Sequence, residues 1–114
     1  KIQDFKIILK RCKKRKIKFL SSPFDLESIN TLKKLKVETI KIPSGEITNI
    51  PYLQKIGKLR KKIILSTGMA NVNEISNAIK ILIKSGTNRK NISILHCNTE
   101  YPVLLDRTNL NSIK

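Results

Sequence analysis

Short apolar runs of β type alternate with amphipathic helical stretches along the chain, and this alternation restricts its possible folds more than any other feature. The runs are rich in Ile, Val and Leu and are bounded by Gly, Pro, Ser or Asn, as buried parallel strands tend to be. They lie at residues 17–20, 37–42, 62–65 and 91–95. Units of about 25 to 30 residues are typical of βαβ repeats, so the alternation predicts a parallel sheet.

The stretches between these runs carry helix signals. Apolar residues recur at helical spacing in residues 2–12, 25–35, 50–57 and 73–85. The last of them follows Asn71, a candidate N-cap, and stops at Gly86. Asp25 comes soon after the helix breaker Pro23. The predicted order is therefore α-β-α-β-α-β-α-β.

This pattern has fewer strand–helix units than a complete barrel. A (β/α)8 barrel needs about 250 residues, whereas 114 residues hold four such units. An open four-stranded sheet is the alternative, but it needs edge strands that tolerate water, and none of the runs has that character. The first residue is also not Met. We therefore expect residues 1–114 to be an internal piece of one α/β domain, a partial TIM-type (β/α)8 barrel with about four parallel strands and no complete second domain.

Three polar stretches follow three of the apolar runs directly. They are KIPSGE at 41–46, STGM at 66–69 and HCNTEYP at 96–102. Parallel α/β sheets build their ligand sites from the loops at the carboxyl ends of their strands. The sequence therefore predicts one shared pocket lined by these three stretches.

KIPSGE has the composition of an anion site. Side chains alternate along a strand, so Ile40 and Ile42 can face the helices while Lys41 faces the other way. A lysine that points into a packed interior is costly unless it meets an anion such as a phosphate or a carboxylate. Ser44 and Gly45 then offer a hydroxyl and close backbone approach. A solvent-exposed lysine followed by an ordinary Ser-Gly turn is the alternative.

Glu46 and the STGM stretch add further candidates. A carboxylate beside an anion site repels the ligand unless it transfers protons or holds the substrate, although pairing with a neighbouring lysine explains it equally well. Ser66 shares its side of the strand with Ile64, and Ser66 and Thr67 both offer hydroxyls. The alternative for these hydroxyls is a plain strand-to-helix cap.

HCNTEYP contains the only histidine of the chain, His96. With Cys97 next to it this is a poor metal site, because neighbouring strand residues face opposite sides and at least three ligands are needed. Cys12 and Cys97 do not suggest a disulfide framework, which favours a reducing cytoplasm. We expect no membrane partner, because no apolar run approaches the roughly 20 residues of a membrane span.

Taken alone, the charge balance favours a nucleic-acid partner. Lys and Arg number 24 against 8 acids, a formal charge of +16, which is typical of nucleic-acid binding. Most of this excess is spread over helix faces, with one dense cluster at residues 10–18. Aromatic residues are only 4%, so stacking platforms are scarce. We expect no nucleic-acid partner, and a basic nucleic-acid-binding module remains the minor alternative.

Four motifs in order, FLSSPF at 19–24, KIPSGE at 41–46, ILSTGM at 64–69 and LHCNTEYP at 95–102, resemble the N-acetylneuraminate (sialic acid) synthase family, which includes legionaminate and pseudaminate synthases. The resemblance implies a cytoplasmic, homodimeric barrel enzyme that condenses phosphoenolpyruvate with an N-acetylated amino sugar such as N-acetylmannosamine. It also implies that this chain covers the third to sixth barrel strands. The implied Mn2+ or Mg2+ would be held by histidines that this chain does not contain.

Carried over residue by residue, the resemblance implies that Lys41, Ser44 and Ser66 bind phosphoenolpyruvate. It implies a catalytic, proton-transferring role for Glu46. Tyr101 matches a ligand-binding Tyr, and Thr99 stands where some members have a ligand-binding Asn. The isolated 114 residues are expected to be inactive. Another phosphate-binding barrel, such as an aldolase-type lyase with a Schiff-base lysine, remains the alternative enzyme class.

Overall fold

The computed structural model describes residues 2–113 and contains α-helices and parallel β-strands in alternation. The helices and strands run in the order α1 Ile2–Lys14, α2 Leu26–Lys34, β1 Thr39–Ile42, α3 Ile50–Gly57, β2 Lys62–Ser66, α4 Val72–Lys84 and β3 Ile92–Leu95. Short 3-10 turns lie at Ser44–Glu46, Arg89–Asn91, Leu105–Arg107 and Leu110–Ile113. All four helices predicted from periodicity are present, with ends that differ by two residues or fewer.

The caps of α2 and α4 explain where these helices begin. The Asp25 carboxylate accepts a 2.6 Å hydrogen bond from the Ser28 backbone N–H. At α4, Asn71 and Glu74 form a reciprocal capping box, with hydrogen bonds of 2.9 and 2.8 Å. The predicted N-cap Asn71 is therefore confirmed, and the structure adds Asp25 as the N-cap of α2.

The sheet has three parallel strands in the order β1-β2-β3. Lys41 lies opposite Ile64, which in turn lies opposite Ser93. Helices α3 and α4 connect successive neighbouring strands, and α3 contacts both α2 and α4. A sequential strand order of this kind is how barrels are wound, whereas a doubly wound sheet reverses its order part-way.

The hydrophobic core lies on one face of the sheet only. Its members come from α2, β1, α3, β2 and α4, and they include Ile29, Leu32, Ile40, Ile42, Tyr52, Leu53, Ile56, Ile63, Leu65, Ala78 and Leu82. On the opposite face Lys41 and Ile64 are half-buried, while Lys62 and Ser93 are exposed. Lys41 therefore faces away from the helices, as the alternation of side chains predicted.

The prediction of a strand over residues 17–20 was wrong in extent. The structure has one isolated parallel bridge there, between Ser21 and Ile40, and the Lys41 N–H donates to the Ser21 carbonyl at 3.2 Å. Ile17 and Leu20 are 64% and 46% exposed, so this segment buries too little apolar surface to hold a ladder against β1. The chain nevertheless passes beside β1, where a preceding barrel strand would lie.

Close packing between α3 and α4 depends on Gly57. A Cβ atom at this position would lie 2.5 Å from Ser85 Cβ and 2.9 Å from the Leu82 carbonyl oxygen. The Gly57 carbonyl also accepts a 3.2 Å hydrogen bond from the hydroxyl of Thr87, which is 2% exposed. This contact anchors the connection between α4 and β3 at the amino-terminal end of the sheet.

Candidate functional site

The first part of the site is the carboxyl end of β1. Lys41 is half-buried on the open face of the sheet, and the chain turns after Ile42 into the 3-10 turn Ser44–Glu46. Backbone hydrogen bonds from Glu46 N–H to the Pro43 carbonyl and from Ile47 N–H to the Ser44 carbonyl hold this turn, at 3.1 and 3.2 Å. Ser44 and Glu46 therefore project from a defined backbone beside the strand end.

Glu46 is held by the start of α3. Its carboxylate accepts a 2.6 Å hydrogen bond from the side-chain amide of Asn49. Asn49 in turn caps α3 by accepting a hydrogen bond from the Tyr52 N–H at 3.3 Å. Within residues 2–113 the recorded partner of Glu46 is this amide and not a lysine, which leaves its other oxygen available to a ligand.

The second part of the site is the carboxyl end of β2. Ser66, Thr67 and Gly68 are all buried, with Ser66 5% and Thr67 8% exposed. Ser66 is two residues beyond Ile64, whose partner in the register is Lys41, so Ser66 lies on the same face of the sheet as Lys41. The Thr67 hydroxyl is already engaged, because it donates a 2.8 Å hydrogen bond to the Leu95 carbonyl.

The three motifs approach one another at Gly68. A Cβ atom on Gly68 would lie 3.2 Å from Thr99 Cγ2 and 3.4 Å from Ser44 Oγ. Ser44 follows β1, Gly68 follows β2 and Thr99 follows β3. The three polar stretches therefore approach one another at one edge of the sheet at these three positions, and the shared pocket that they would line stays a prediction.

The third motif is the loop after β3, and it is more open. His96, Thr99 and Tyr101 are exposed, Tyr101 to 89%. Two contacts with Arg107 hold the loop. Asn98 Nδ2 donates to the Arg107 carbonyl at 3.1 Å, and the Glu100 carboxylate pairs with the Arg107 guanidinium at 2.9 Å. Tyr101 is thus largely in solvent.

Comparison with known proteins agrees with this geometry. A model of the NeuB family matches residues 1–114. The chain belongs to the NeuB family.

Relatives of this NeuB-family chain carry synthase names. The N,N'-diacetyllegionaminic acid synthase of Campylobacter jejuni is 55% identical over 113 residues, which are 99% of this chain and 34% of that protein. The pseudaminic acid synthase of Helicobacter pylori is 33% identical over 93 residues, 82% of this chain and 27% of that protein. The chain spans about a third of the length of the curated relatives it matches.

A solved structure supports the fold of this NeuB-family chain. The N-acetylneuraminic acid (sialic acid) synthetase of Leptospira borgpetersenii, in complex with citrate, superposes with a TM-score of 0.92 at 34% identity. The match covers 99% of this chain and 39% of that one. The α/β architecture with parallel strands is therefore shared with a complete synthetase.

Sequence reasoning missed one residue that shapes the NeuB-family site, Tyr52. This side chain is 1% exposed, and its hydroxyl donates a 2.6 Å hydrogen bond to the Pro23 carbonyl. Burial raises the pKa of Tyr52, and the nearby carboxylates of Glu46 and Asp25 raise it further. A tyrosine on the apolar face of a helix needs an acceptor for its hydroxyl, and this was the available signal.

The residues of this NeuB-family chain do not by themselves fit a divalent metal. Within residues 2–113 no three His, Cys, Asp or Glu side chains are grouped so that they could hold an ion. His96 and Cys97 belong to no such group among these residues. In the same residues, none of the helices is both long and apolar enough to cross a membrane.

Proposed function

We propose that the protein containing this chain is a synthase that condenses phosphoenolpyruvate with an N-acetylated amino sugar of the N-acetylmannosamine type. The products are a sialic-acid-like nonulosonic acid and phosphate. The observation that carries the proposal is the meeting of Ser44, Gly68 and Thr99 at the carboxyl ends of three parallel strands. Membership of the NeuB family supports the same reaction.

Lys41, Ser44 and Ser66 form the proposed phosphoenolpyruvate site. Lys41 and Ser66 lie on the open face of the sheet, and Ser44 lies beside the backbone of Gly68. Lys41 as a whole is half-buried, and its ammonium group supplies a positive charge that suits a phosphate or carboxylate ligand. Two serine hydroxyls add neutral donors that suit the phosphate oxygens. The formal charge of +16 favours the approach of this anionic substrate.

Glu46 is the proposed proton-transferring residue. C3 of phosphoenolpyruvate bonds to the aldehyde carbon of the open-chain sugar, whose oxygen takes up a proton. Water then adds at C2 and loses one proton, which leaves a hydroxyl group there. The bond between C2 and its bridging oxygen then breaks, the hydroxyl becomes the keto group, and its proton passes to the departing phosphate. Glu46 can donate and accept these protons because the amide of Asn49 orients its carboxylate at 2.6 Å.

Thr99 and Tyr101 are the proposed contacts from the loop after β3. Thr99 lies next to Gly68, and Tyr101 follows two residues later with a side chain that is 89% exposed. An exposed tyrosine beside a pocket suits contact with the hydroxyl-rich sugar better than with the phosphate.

The domain, compartment and assembly are also proposals. We propose that residues 1–114 form the third to sixth strand units of a barrel domain, since the helices pack on one face of the sheet and the other face is open. The free cysteines Cys12 and Cys97 support a reducing, cytoplasmic compartment. A homodimer is proposed from the family alone. The divalent ion, Mn2+ or Mg2+, has no ligand set within residues 2–113, so the roles given above are those of protein groups.

The test is a condensation assay on a polypeptide of the relatives' full length. Phosphoenolpyruvate, a panel of N-acetylated amino sugars and Mn2+ are supplied, and the product is identified by mass together with released phosphate. We expect one phosphate for each nonulosonic acid formed. Borohydride trapping of a carbonyl substrate on Lys41 without phosphate release would replace the proposal with an aldolase-type lyase. A salt-sensitive gel shift without turnover would replace it with nucleic-acid binding.

A further inference from the structure

We propose that Thr67 is a positioning residue that holds the loop after β3 against the phosphoenolpyruvate site. The inference deepens the proposed function and rests on it. Thr67 is 8% exposed, and its hydroxyl donates a 2.8 Å hydrogen bond to the Leu95 carbonyl. It therefore acts through another segment of the chain, because its donor is already used within the protein.

This hydrogen bond lies at the carboxyl end of the β2–β3 ladder, just where the loop after β3 begins. Ser66 lies opposite Leu95 in the last pair of the β2–β3 ladder. The Thr67 side chain therefore extends the pairing beyond the point where the backbone ladder ends. Leu95 is also the last residue before the HCNTEYP loop, so the bond fixes the origin of that loop.

The loop fixed in this way reaches the pocket at Thr99. Thr99 Cγ2 would lie 3.2 Å from a Cβ on Gly68, and Gly68 follows Thr67 directly. Further along the loop, Asn98 and Glu100 bind the carbonyl and the guanidinium of Arg107. Loss of the Thr67 hydrogen bond would free the start of the loop at Leu95 while the contacts with Arg107 stay in place. Thr99 and Tyr101 would then move relative to Ser44 and Ser66.

Thr87 provides a matched control. It is also a buried threonine, 2% exposed, and its hydroxyl donates to a distant backbone carbonyl, that of Gly57, at 3.2 Å. It lies in the connection between α4 and β3, at the end of the sheet opposite to the candidate site. Thr67→Val and Thr87→Val remove the same chemical group from similar surroundings, and valine preserves the shape of the side chain.

The kinetic test uses the full-length protein and steady-state rates of condensation. We expect Thr67→Val to raise the KM for the amino sugar about tenfold with kcat changed less than about twofold, because the displaced loop residues Thr99 and Tyr101 are the proposed sugar contacts. Thr67→Ser retains the hydroxyl and is expected to keep KM within about twofold of wild type. Thr87→Val is expected to lower Tm about as much as Thr67→Val and to leave KM unchanged. Equal KM effects of the two valine variants, or a raised KM in Thr67→Ser, would overturn the positioning role.

A double variant tests whether the effect passes through the loop. If it does, Thr67→Val should change KM less in a Thr99→Ala background than in wild type, because the two residues are coupled. Additive effects would contradict the coupling.

Hydrogen exchange separates this inference from the proposed function. Deuterium uptake in the 96–101 peptide should rise in Thr67→Val and not in Thr87→Val, whether or not condensation is observed. Wild-type protein without turnover would reject the function while this comparison still tests the hydrogen bond. Unchanged uptake in Thr67→Val would reject the role of that hydrogen bond in holding the loop.

Discussion

The phenolic hydroxyl of Tyr52 donates a 2.6 Å hydrogen bond to the backbone carbonyl of Pro23, across 29 residues of sequence. This bond joins α3 to the turn that follows Ser21, beside β1. Asn49 caps the same helix and also binds Glu46. Helix α3 therefore holds both the segment before α2 and the carboxyl end of β1 in place. Tyr52 therefore contributes to the geometry of the site from the buried side.

Replacing Tyr52 with Phe should destabilise the fold. The variant keeps the buried ring but leaves the Pro23 carbonyl without its donor, which costs about 1–3 kcal/mol of the free energy of unfolding. Urea unfolding should show a lower midpoint with an unchanged m-value. Tyr101→Phe is the control, because that side chain is 89% exposed and its hydroxyl has water as a partner. Equal midpoints for Tyr52→Phe and wild type would contradict the role of the bond.

The same tyrosine predicts a pH dependence in the alkaline range. Its pKa is raised above the ordinary value of 10.0, chiefly by burial. Above pH 10 the unfolded chain loses this proton while the folded chain keeps it, so the unfolded state binds fewer protons and stability falls with rising pH. The contribution is fully present below pH 10. We expect the stability difference between wild type and Tyr52→Phe to shrink as pH rises above 10, and a constant difference would contradict this.

Asp25 predicts a pH dependence in the acid range. Hydrogen bonds from the Ser28 backbone and side chain lower its pKa below the ordinary value of 3.8. Its contribution is therefore present above pH 3.8 and is lost as pH falls through the lowered pKa. Asp25→Asn should cap α2 at neutral pH without this titration. Thermal unfolding should show wild type losing stability relative to Asp25→Asn in acid. Parallel pH profiles would contradict the assignment.

Gly68→Ala tests the contact between the three motifs. The new methyl group would lie 3.2 Å from Thr99 Cγ2, closer than ordinary van der Waals contact. We expect a loss of about 1–3 kcal/mol in the free energy of unfolding from this overpacking. Gly45→Ala is the stability control, since a Cβ there meets nothing within 4 Å.

A second substitution makes the Gly68 prediction specific. Thr99→Ser removes the methyl group that the new Cβ would approach, so Gly68→Ala/Thr99→Ser should recover most of the stability lost in Gly68→Ala. Failure to recover would mean that the loop after β3 does not approach Gly68 as described.

Local sequence signals predicted the helices and the places where the motifs lie. Helix periodicity and the cap at Asn71 are properties of a few neighbouring residues, so both were predicted directly from the sequence. The strand predicted over residues 17–20 did not form, because a strand depends on pairing partners as well as on its own apolar run. The hydrogen bonds of Thr67 and Tyr52 join residues 28 and 29 positions apart, and no local pattern encodes such pairs.

The most direct test of the central claim compares two lysines on the open face of the sheet. Lys41 lies at the proposed phosphoenolpyruvate site, and Lys62 lies opposite Thr39 at the amino-terminal end of the same face. In the full-length protein, nonulosonic acid formation is measured by mass against phosphoenolpyruvate concentration for Lys41→Met and Lys62→Met. The account predicts a loss of about 100-fold in kcat/KM for Lys41→Met, the value of a hydrogen bond to a charged group, and wild-type kinetics for Lys62→Met. Equal kinetics in the two variants, or no product from wild type, would contradict it.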